Sequence, residues 1–393
     1  MRTVLTASRL YTPDHVIERP VVVIDDGVIS DVASQSHAEL PEGRHVALPD
    51  STLIPALFDV HIHGSGGHDV MEATESALNH IGMFLARRGV GAYCATTVTA
   101  PLDPLLHALN GIARLMQTPL DGARVVGIHL EGPFLSPHKR GAHAESQLLT
   151  PSIALFDRLW EAAEGNIRVM TIAPELPNAE ETIAHATKLG VRVSLGHSDA
   201  NGDAARAGVM AGAVSATHTF NAMRRFDHRD PGLLGEVLGN DRLFAEIICD
   251  GLHVDPAVVR IFWKTKGVDR AILVTDAMAG TGMPDGAYRL GEMEVRVKNG
   301  RCVIGNDTLA GSTLTLDRAL LNFAQFTGAS FADTLTLATR NPARMTGLDE
   351  EIGSIAPGRS ADLAVLSTKA GIIGTILRGV PQVAPTNGGY LNG

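Results

Sequence analysis

His61 and His63 stand two apart in Asp59-Val60-His61-Ile62-His63, directly after the apolar run Leu53-Ile54-Pro55-Ala56-Leu57-Phe58. Residues two apart on a β-strand share a face, so both imidazoles are expected to project together from the end of a buried strand. Two converging imidazoles make half of a metal site. Further strand-like runs end in residues of the same kind. The run 125–130 leads into Glu131-Gly132-Pro133, 191–195 into Gly196-His197-Ser198, 213–217 into His218, and 271–275 into Asp276. Another ends in Cys249-Asp250-Gly251-Leu252-His253. Taken singly, each has a plain explanation: a satisfied core histidine, a helix N-cap aspartate, a turn. Taken together, four His, one Glu and one Asp at equivalent ends of five strands form the ligand set of a Zn²⁺ or Fe²⁺ hydrolase site.

The elements that must position these groups alternate. Strand-like runs fall at 53–61, 92–99, 124–130, 167–172, 191–196, 213–219, 244–250 and 271–275. Helical periodicity fills most gaps. Ala77, Leu78, Ile81, Phe84 and Leu85 share a face that Gly89 closes, and Val258, Val259, Phe262 and Trp263 share another with Gly267 as the stop. Eight such units over roughly 250 residues predict an α/β fold, the (β/α)8 TIM barrel, whose active sites lie at the C-terminal strand ends. A doubly wound sheet is the rival, but Gly64-Ser65-Gly66-Gly67-His68 does not fit the dinucleotide fingerprint. After the eighth strand, 293–298 and 301–304 flank Asn299-Gly300, which predicts an inserted hairpin. Both chain ends are β-rich. They predict a small β-sandwich domain built from residues 1–53 and 352–393, beside a catalytic barrel at 54–351.

Composition narrows the function. The 393 residues are 45% hydrophobic and carry a net charge of -10, with no Lys/Arg-rich run, which argues against nucleic acid or an anionic membrane as partner. An anionic ligand would need a few local cations. Cys94, Cys249 and Cys302 read as free thiols of a reducing compartment. MRTVLTASRL lacks the apolar core of a signal peptide, and no apolar segment is long enough to span a bilayer, so the expected location is the cytoplasm.

Specific stretches carry a resemblance. They are Asp59-Val60-His61-Ile62-His63-Gly64, His129-Leu130-Glu131-Gly132-Pro133-Phe134, Lys139-Arg140-Gly141-Ala142-His143, Leu195-Gly196-His197-Ser198 and Thr217-His218-Thr219-Phe220-Asn221-Ala222-Met223. Asp250-Gly251-Leu252-His253, Thr275-Asp276-Ala277-Met278 and Leu309-Ala310-Gly311-Ser312 continue it. Over nearly its whole length the chain resembles the N-acetylglucosamine-6-phosphate deacetylases of the amidohydrolase superfamily. Many amidohydrolases place a modified Lys on the fourth strand. Val169-Met170-Thr171-Ile172 offers none, and Glu131 on the third strand matches the deacetylases.

The resemblance implies roles. Glu131, His197 and His218 would bind one divalent metal. His61 and His63 would complete a second site bridged by Glu131, a pair that some relatives lack. One or two ions per subunit follow, zinc first, with iron, cobalt or manganese as alternatives. A bound metal activates water and polarises an amide carbonyl. Asp276, beside the metal, would take the water's proton and return it to the leaving amine. His143 would donate to the developing oxyanion. Ala142, Asn221, Ala222, His253 and Leu309 would contact the sugar phosphate. Arg229 would reach the phosphate of a neighbouring subunit's active site across a homodimer, with Arg224 and Arg225 as rival phosphate ligands. The expected reaction is hydrolysis of N-acetylglucosamine 6-phosphate to glucosamine 6-phosphate and acetate. The galactose epimer and other amidohydrolase substrates are alternatives. A non-catalytic scaffold would be expected to lose ligands, and this chain keeps them.

Overall fold

Eight parallel strands carry the chemistry, and their residues explain their place. The computed structural model describes residues 1–12, 15–35, 40–305, 307–367 and 371–382. The strands are β1 (Leu57–Ile62), β2 (Val90–Thr96), β3 (Arg124–Glu131), β4 (Ile167–Ile172), β5 (Arg192–Leu195), β6 (Ser215–Ala216), β7 (Phe244–Ile248) and β8 (Ala271–Val274). They are nearly continuous apolar runs, as strands covered on both faces must be. Every residue of β1, β2 and β8 is buried. Their order in the sheet is sequential. The sheet closes at the chemical end: the Asp276 N–H donates to the His61 carbonyl at 2.9 Å and the His63 N–H to the Ala277 carbonyl at 2.8 Å. Closure and candidate ligands therefore share residues.

Helices follow the strands and cover the barrel, among them Glu75–Ala86, Leu102–Leu115, Ile153–Ala162, Ala179–Lys188 and Gly202–Ala211. Several begin where a side chain satisfies an orphan backbone N–H, as Thr74 does for Ala77, Ser152 for Leu155 and Asn201 for Ala204. The helix Pro256–Arg270 runs past Gly267, the expected stop. Gly267 breaks it with a φ of 59°, and a last turn follows.

Three sequence expectations change in detail. The run 53–61 is two strands. Arg44–Pro55 belongs to the terminal sheet and pairs with Leu363–Ser367, and β1 begins after Ala56. Pro55, which has no N–H to donate, ends that pairing. The run 213–219 keeps only Ser215–Ala216 as strand, because the chain turns sharply at His218. The hairpin around Asn299-Gly300 lies inside a four-stranded antiparallel sheet, with Gly286–Leu290 and Thr308–Leu309 added on either side. Asn299 and Gly300, with φ of 50° and 76°, give the mirror-image two-residue turn expected there.

The strands from both termini form one eight-stranded, mostly antiparallel sheet. Arg2–Tyr11 pairs in parallel with Arg44–Pro55, and Leu363–Ser367 and Gly371–Leu377 extend the far side. Leu5, Leu10, Val22, Ile24, Leu53, Leu363 and Ile376 make its own core. Residues 368–370 and 383–393 of the expected terminal domain lie outside the described residues. Cys94, Cys249 and Cys302 are all buried free thiols.

Candidate active site

At the mouth of the barrel, Glu131 ends β3 and lies between four imidazoles. Its Oε1 is 3.3 Å from His197 Nε2 and 3.2 Å from His218 Nε2, which are 3.0 Å from each other. Its Oε2 is 3.4 Å from His61 Nε2 and 3.2 Å from His63 Nε2. Asp276 Oδ1 lies 3.0 Å from His63 Nε2 and 3.5 Å from His61 Nε2. All six side chains are buried. The two oxygens of one carboxylate thus face two separate sets of donors.

The backbone that presents them is of two kinds. His61 lies within β1 and His63 just past it. His197, His218 and Asp276 each stand two residues beyond a strand, with φ of 46°, 27° and 52°. Non-glycine residues seldom adopt positive φ, and such strain concentrates at functional sites. Phe220 and Ala222 share it, at 82° and 49°.

The site's electrostatics follow from burial against close opposite charge. Burial alone would raise Glu131, but the charge of His61 and hydrogen bonds from His197 and His218 hold its carboxyl well below the usual range. Asp276 is likewise held low, burial being overcome by His63 and by the charges of His61 and His218. Burial would lower His63, but its hydrogen bonds to Asp276 and Glu131 push it up to about 9. The carboxylates that raise these imidazoles would equally attract a divalent cation.

The residues fit such an ion. Imidazole nitrogens and carboxylate oxygens are the donors that Zn²⁺ and related metals take. Ligand atoms about 2.1 Å from one ion sit about 3.0–3.4 Å from each other, the spacing found around Glu131. His61 Nε2 is buried without a hydrogen-bond partner and lies 3.4 Å from Glu131 Oε2. Behind the ligands, His63 Nδ1 donates to the Thr96 carbonyl at 3.0 Å and His197 Nδ1 to the Lys139 carbonyl at 2.9 Å, which leaves each Nε2 free for an ion.

The ligand cluster opens into a cavity of about 210 Å³. Ala142, His143, Asn221, Ala222, His253 and Leu309 line it, so the expected substrate residues of one chain converge there. A wider cleft of about 490 Å³ lies between Asp69, Pro104 and Tyr288 and contains none of the candidate residues. His143 Nδ1 receives the Thr99 backbone N–H at 3.3 Å and lies 3.1 Å from the Thr99 hydroxyl. A backbone amide can only donate, so Nδ1 is the acceptor and Nε2 carries the proton. Burial and the neighbouring charge of His197 push His143 down to about 3, so this ring is a neutral donor. His253 is tied to Asp250, Nδ1 to Oδ2 at 2.7 Å.

Among the arginines, Arg224 is committed to structure. It donates to Asp230 at 2.6 Å and to Asp199 at 3.4 Å, which anchors the loop it begins. Arg225 and Arg229 are exposed, and among the described residues no carboxylate pairs with either. Arg229 lies outside the lining of this chain's own cavity.

The sequence reading missed Glu246 and Thr99. Glu246, fully buried in β7, sits 3.1 Å from His61 Nδ1. Its signal was there to read, a lone carboxylate in Phe244-Ala245-Glu246-Ile247-Ile248. Thr99 gave none, since its main contribution is a backbone N–H.

Comparison with known proteins agrees with this geometry. The chain matches the Amidohydrolase family over residues 52–384. It is 38% identical over 369 residues to the N-acetylgalactosamine-6-phosphate deacetylase of Escherichia coli O157:H7, covering 94% of this chain and 96% of that one. It is 34% identical over 374 residues to the N-acetylglucosamine-6-phosphate deacetylase of Bacillus subtilis (strain 168), covering 94% of each. A solved mutant of the N-acetyl-D-glucosamine-6-phosphate deacetylase from Mycobacterium smegmatis, in complex with N-acetyl-D-glucosamine-6-phosphate, superposes with a TM-score of 0.90 at 34% identity, over 98% of this chain and 100% of that one. With buried carboxylates and imidazoles converging at the mouth of a closed barrel, and matches that run nearly end to end, this chain belongs to the amidohydrolase family.

Proposed function

We propose that this protein hydrolyses the N-acetyl group of N-acetyl-D-glucosamine 6-phosphate, giving D-glucosamine 6-phosphate and acetate. One observation carries the reading: Glu131 shares its two oxygens between two donor sets, beside Asp276, at the floor of a cavity sized for a small ligand. The donors fit one or two divalent ions, zinc first among them. A bound ion supplies two things, a lower pKa for its water and a polarised amide carbonyl.

The chain's own residues do the rest. Asp276, held as a carboxylate, accepts the proton of the attacking water. The water oxygen bonds to the carbonyl carbon while His143 Nε2–H donates to the carbonyl oxygen. The C–N bond then breaks, and Asp276 delivers its proton to the leaving nitrogen; the water's second proton passes from the nascent acetic acid to the amine, so acetate and an ammonium group result. Asn221, the Ala222 backbone, His253 and Leu309 hold the sugar. Arg229, whose guanidinium has no carboxylate partner among the described residues, serves the phosphate in the partner subunit of a homodimer, with Arg225 and the ion-paired Arg224 as its rivals. The barrel, from Leu57 onward, acts as the catalytic unit, and the sheet built from both termini accompanies it. The cytoplasm is the proposed location. No helix among the described residues is long and apolar enough to cross a membrane.

A second reading, the galactosamine epimer, has its own support in the 38% identity to the N-acetylgalactosamine-6-phosphate deacetylase. Acetate release from the two epimeric 6-phosphates, on zinc-loaded protein, decides between them. Glucosamine-type turnover is expected to be the faster, and a higher kcat/KM for the galactose epimer would replace the first reading. Asp276→Asn is expected to lower kcat by about 10²–10⁴-fold. Unchanged turnover in that variant would remove Asp276 from its role.

A further inference from the structure

The four imidazoles around Glu131 are backed in different ways. His63 and His197 donate Nδ1–H to backbone carbonyls, those of Thr96 and Lys139. His218 Nδ1 is buried without a partner. His61 alone is backed by a carboxylate, with Nδ1 3.1 Å from Glu246 Oε2. Its other nitrogen faces the gap between Glu131 Oε2 at 3.4 Å and Asp276 Oδ1 at 3.5 Å. A carboxylate behind an imidazole fixes the ring's tautomer and orientation and strengthens the free nitrogen as a donor. The strongest support in the site therefore belongs to the His61 and His63 side of Glu131.

We propose that Glu246 is a positioning residue that acts through His61 to retain a second divalent cation between His61, His63, Glu131 and Asp276. The proposal rests on the deacetylase reading of the pocket. Charge points the same way. Glu131, Asp276 and Glu246 are three buried carboxylates joined by their contacts to His61. One divalent cation leaves one of their negative charges uncompensated; a second brings the cluster to one positive charge, which suits a site that must also take an anionic oxygen ligand. Glu246 Oε1 makes no hydrogen bond. Its side chain is bonded only through Oε2, to His61 and to the His218 backbone N–H at 3.2 Å.

Zinc stoichiometry and release test this on the full chain, loaded with Zn²⁺ and freed of excess metal. The unmodified chain is expected to hold two ions and to release them to a chromophoric chelator in two phases. Glu246→Gln keeps the shape and removes the charge. It is expected to speed one phase about 10–100-fold and to leave the other nearly unchanged. His61→Gln is expected to hold one ion, and adding Glu246→Gln to it is expected to have no further effect, because the residue that transmits the action is gone. If Glu246→Gln does not fold, Glu246→Asp, which keeps the charge but withdraws it, is expected to speed the same phase. Three results overturn the proposal: one ion at saturation in the unmodified chain, equal weakening of both ions by Glu246→Gln, or further loss in the His61→Gln background, which would place the action at His218. A chain that binds no zinc at all instead overturns the deacetylase reading beneath it.

Discussion

Glu131 separates two flanks of unlike construction. On the Oε2 side, His61 and His63 ride on β1 and its immediate end, where the two-residue period of an extended chain aims both rings together. On the Oε1 side, His197 and His218 come from two different strands, and each sits at positive φ on the turn that ends its strand. The two histidines of the first flank need no unusual backbone; Asp276 beside them, at a φ of 52°, is the strained member of that side. The second stores strain, which persists only where the surrounding structure over-determines it. Here the closed barrel and buried neighbours do so. The Ser198 N–H bonds to the Ala222 carbonyl and the Thr219 N–H to the Glu246 carbonyl, so both turns are clamped. A strained flank that is kept argues that its ion is the indispensable one, and a regular flank backed by Glu246 argues for an added ion.

Mutation of the two flanks gives the largest contrast. A metal's Lewis-acid contribution amounts to several kcal/mol, and each 1.36 kcal/mol is tenfold in rate. His197→Gln or His218→Gln is thus expected to lower kcat/KM by about 10³-fold or more. His61→Gln should cost less, about 10–100-fold, the range for weakening a metal's surroundings. Steady-state kinetics with metal content on the same samples reads the difference. An equal or reversed order would break the comparison between the flanks.

A smaller effect lies on the wall between them. His143 faces the pocket with a protonated Nε2 because Thr99 donates to Nδ1. His143→Ala is expected to lower kcat by about 10²–10³-fold, as loss of an oxyanion donor does. Thr99→Val removes the hydroxyl and leaves the backbone N–H. It is expected to lower kcat about two- to tenfold, the worth of one neutral hydrogen bond, with KM little changed. Thr99→Ser should restore the rate. A Thr99→Val effect confined to KM would show that Thr99 shapes binding and does not orient His143.

Much of this is legible in the sequence. Strand periodicity put His61 and His63 on one face, and residue type alone marked Glu131, His197, His218 and Asp276 at their strand ends. The helices around Leu78 and Val259 followed from apolar spacing. What was hidden depends on tertiary contact. The sharp turn at His218 cut β6 to two residues, where apolar content had suggested seven. The transfer of chain between sheets at Ala56 is marked by tertiary bonds, from the Ala56 N–H to the Asp362 carbonyl and from the Leu57 N–H to the Gly89 carbonyl. Arg224 stood only as a rival to Arg229, and its ion pair to Asp199, 25 residues away, leaves no trace in local sequence. Glu246 could have been suspected, since an unpaired carboxylate in an apolar strand needs a reason.

The smallest expected effect is on pH dependence, at His253 in the cavity lining. Burial would lower His253, but the hydrogen bond to Asp250 and its charge outweigh that and raise it above its ordinary 6.5. Its cationic form, suited to an anionic sugar phosphate, therefore persists to higher pH than in an isolated imidazole. It is lost as pH rises through the raised value. The stability that the pair gives the fold follows the same sign: complete below the unfolded pKa, fading as pH climbs through the folded one. Asp250→Asn leaves the burial and removes the counter-charge, so the His253 proton should leave at lower pH. The expected result is a KM that begins to rise at lower pH in Asp250→Asn, with the two proteins converging in alkali, where His253 is neutral in both. KM measured from about pH 6 to 9 checks this, because the window must span the ordinary histidine pKa and the raised one. Superimposable KM profiles would mean that His253 meets the substrate as a neutral group, and would leave phosphate recognition to the exposed arginines.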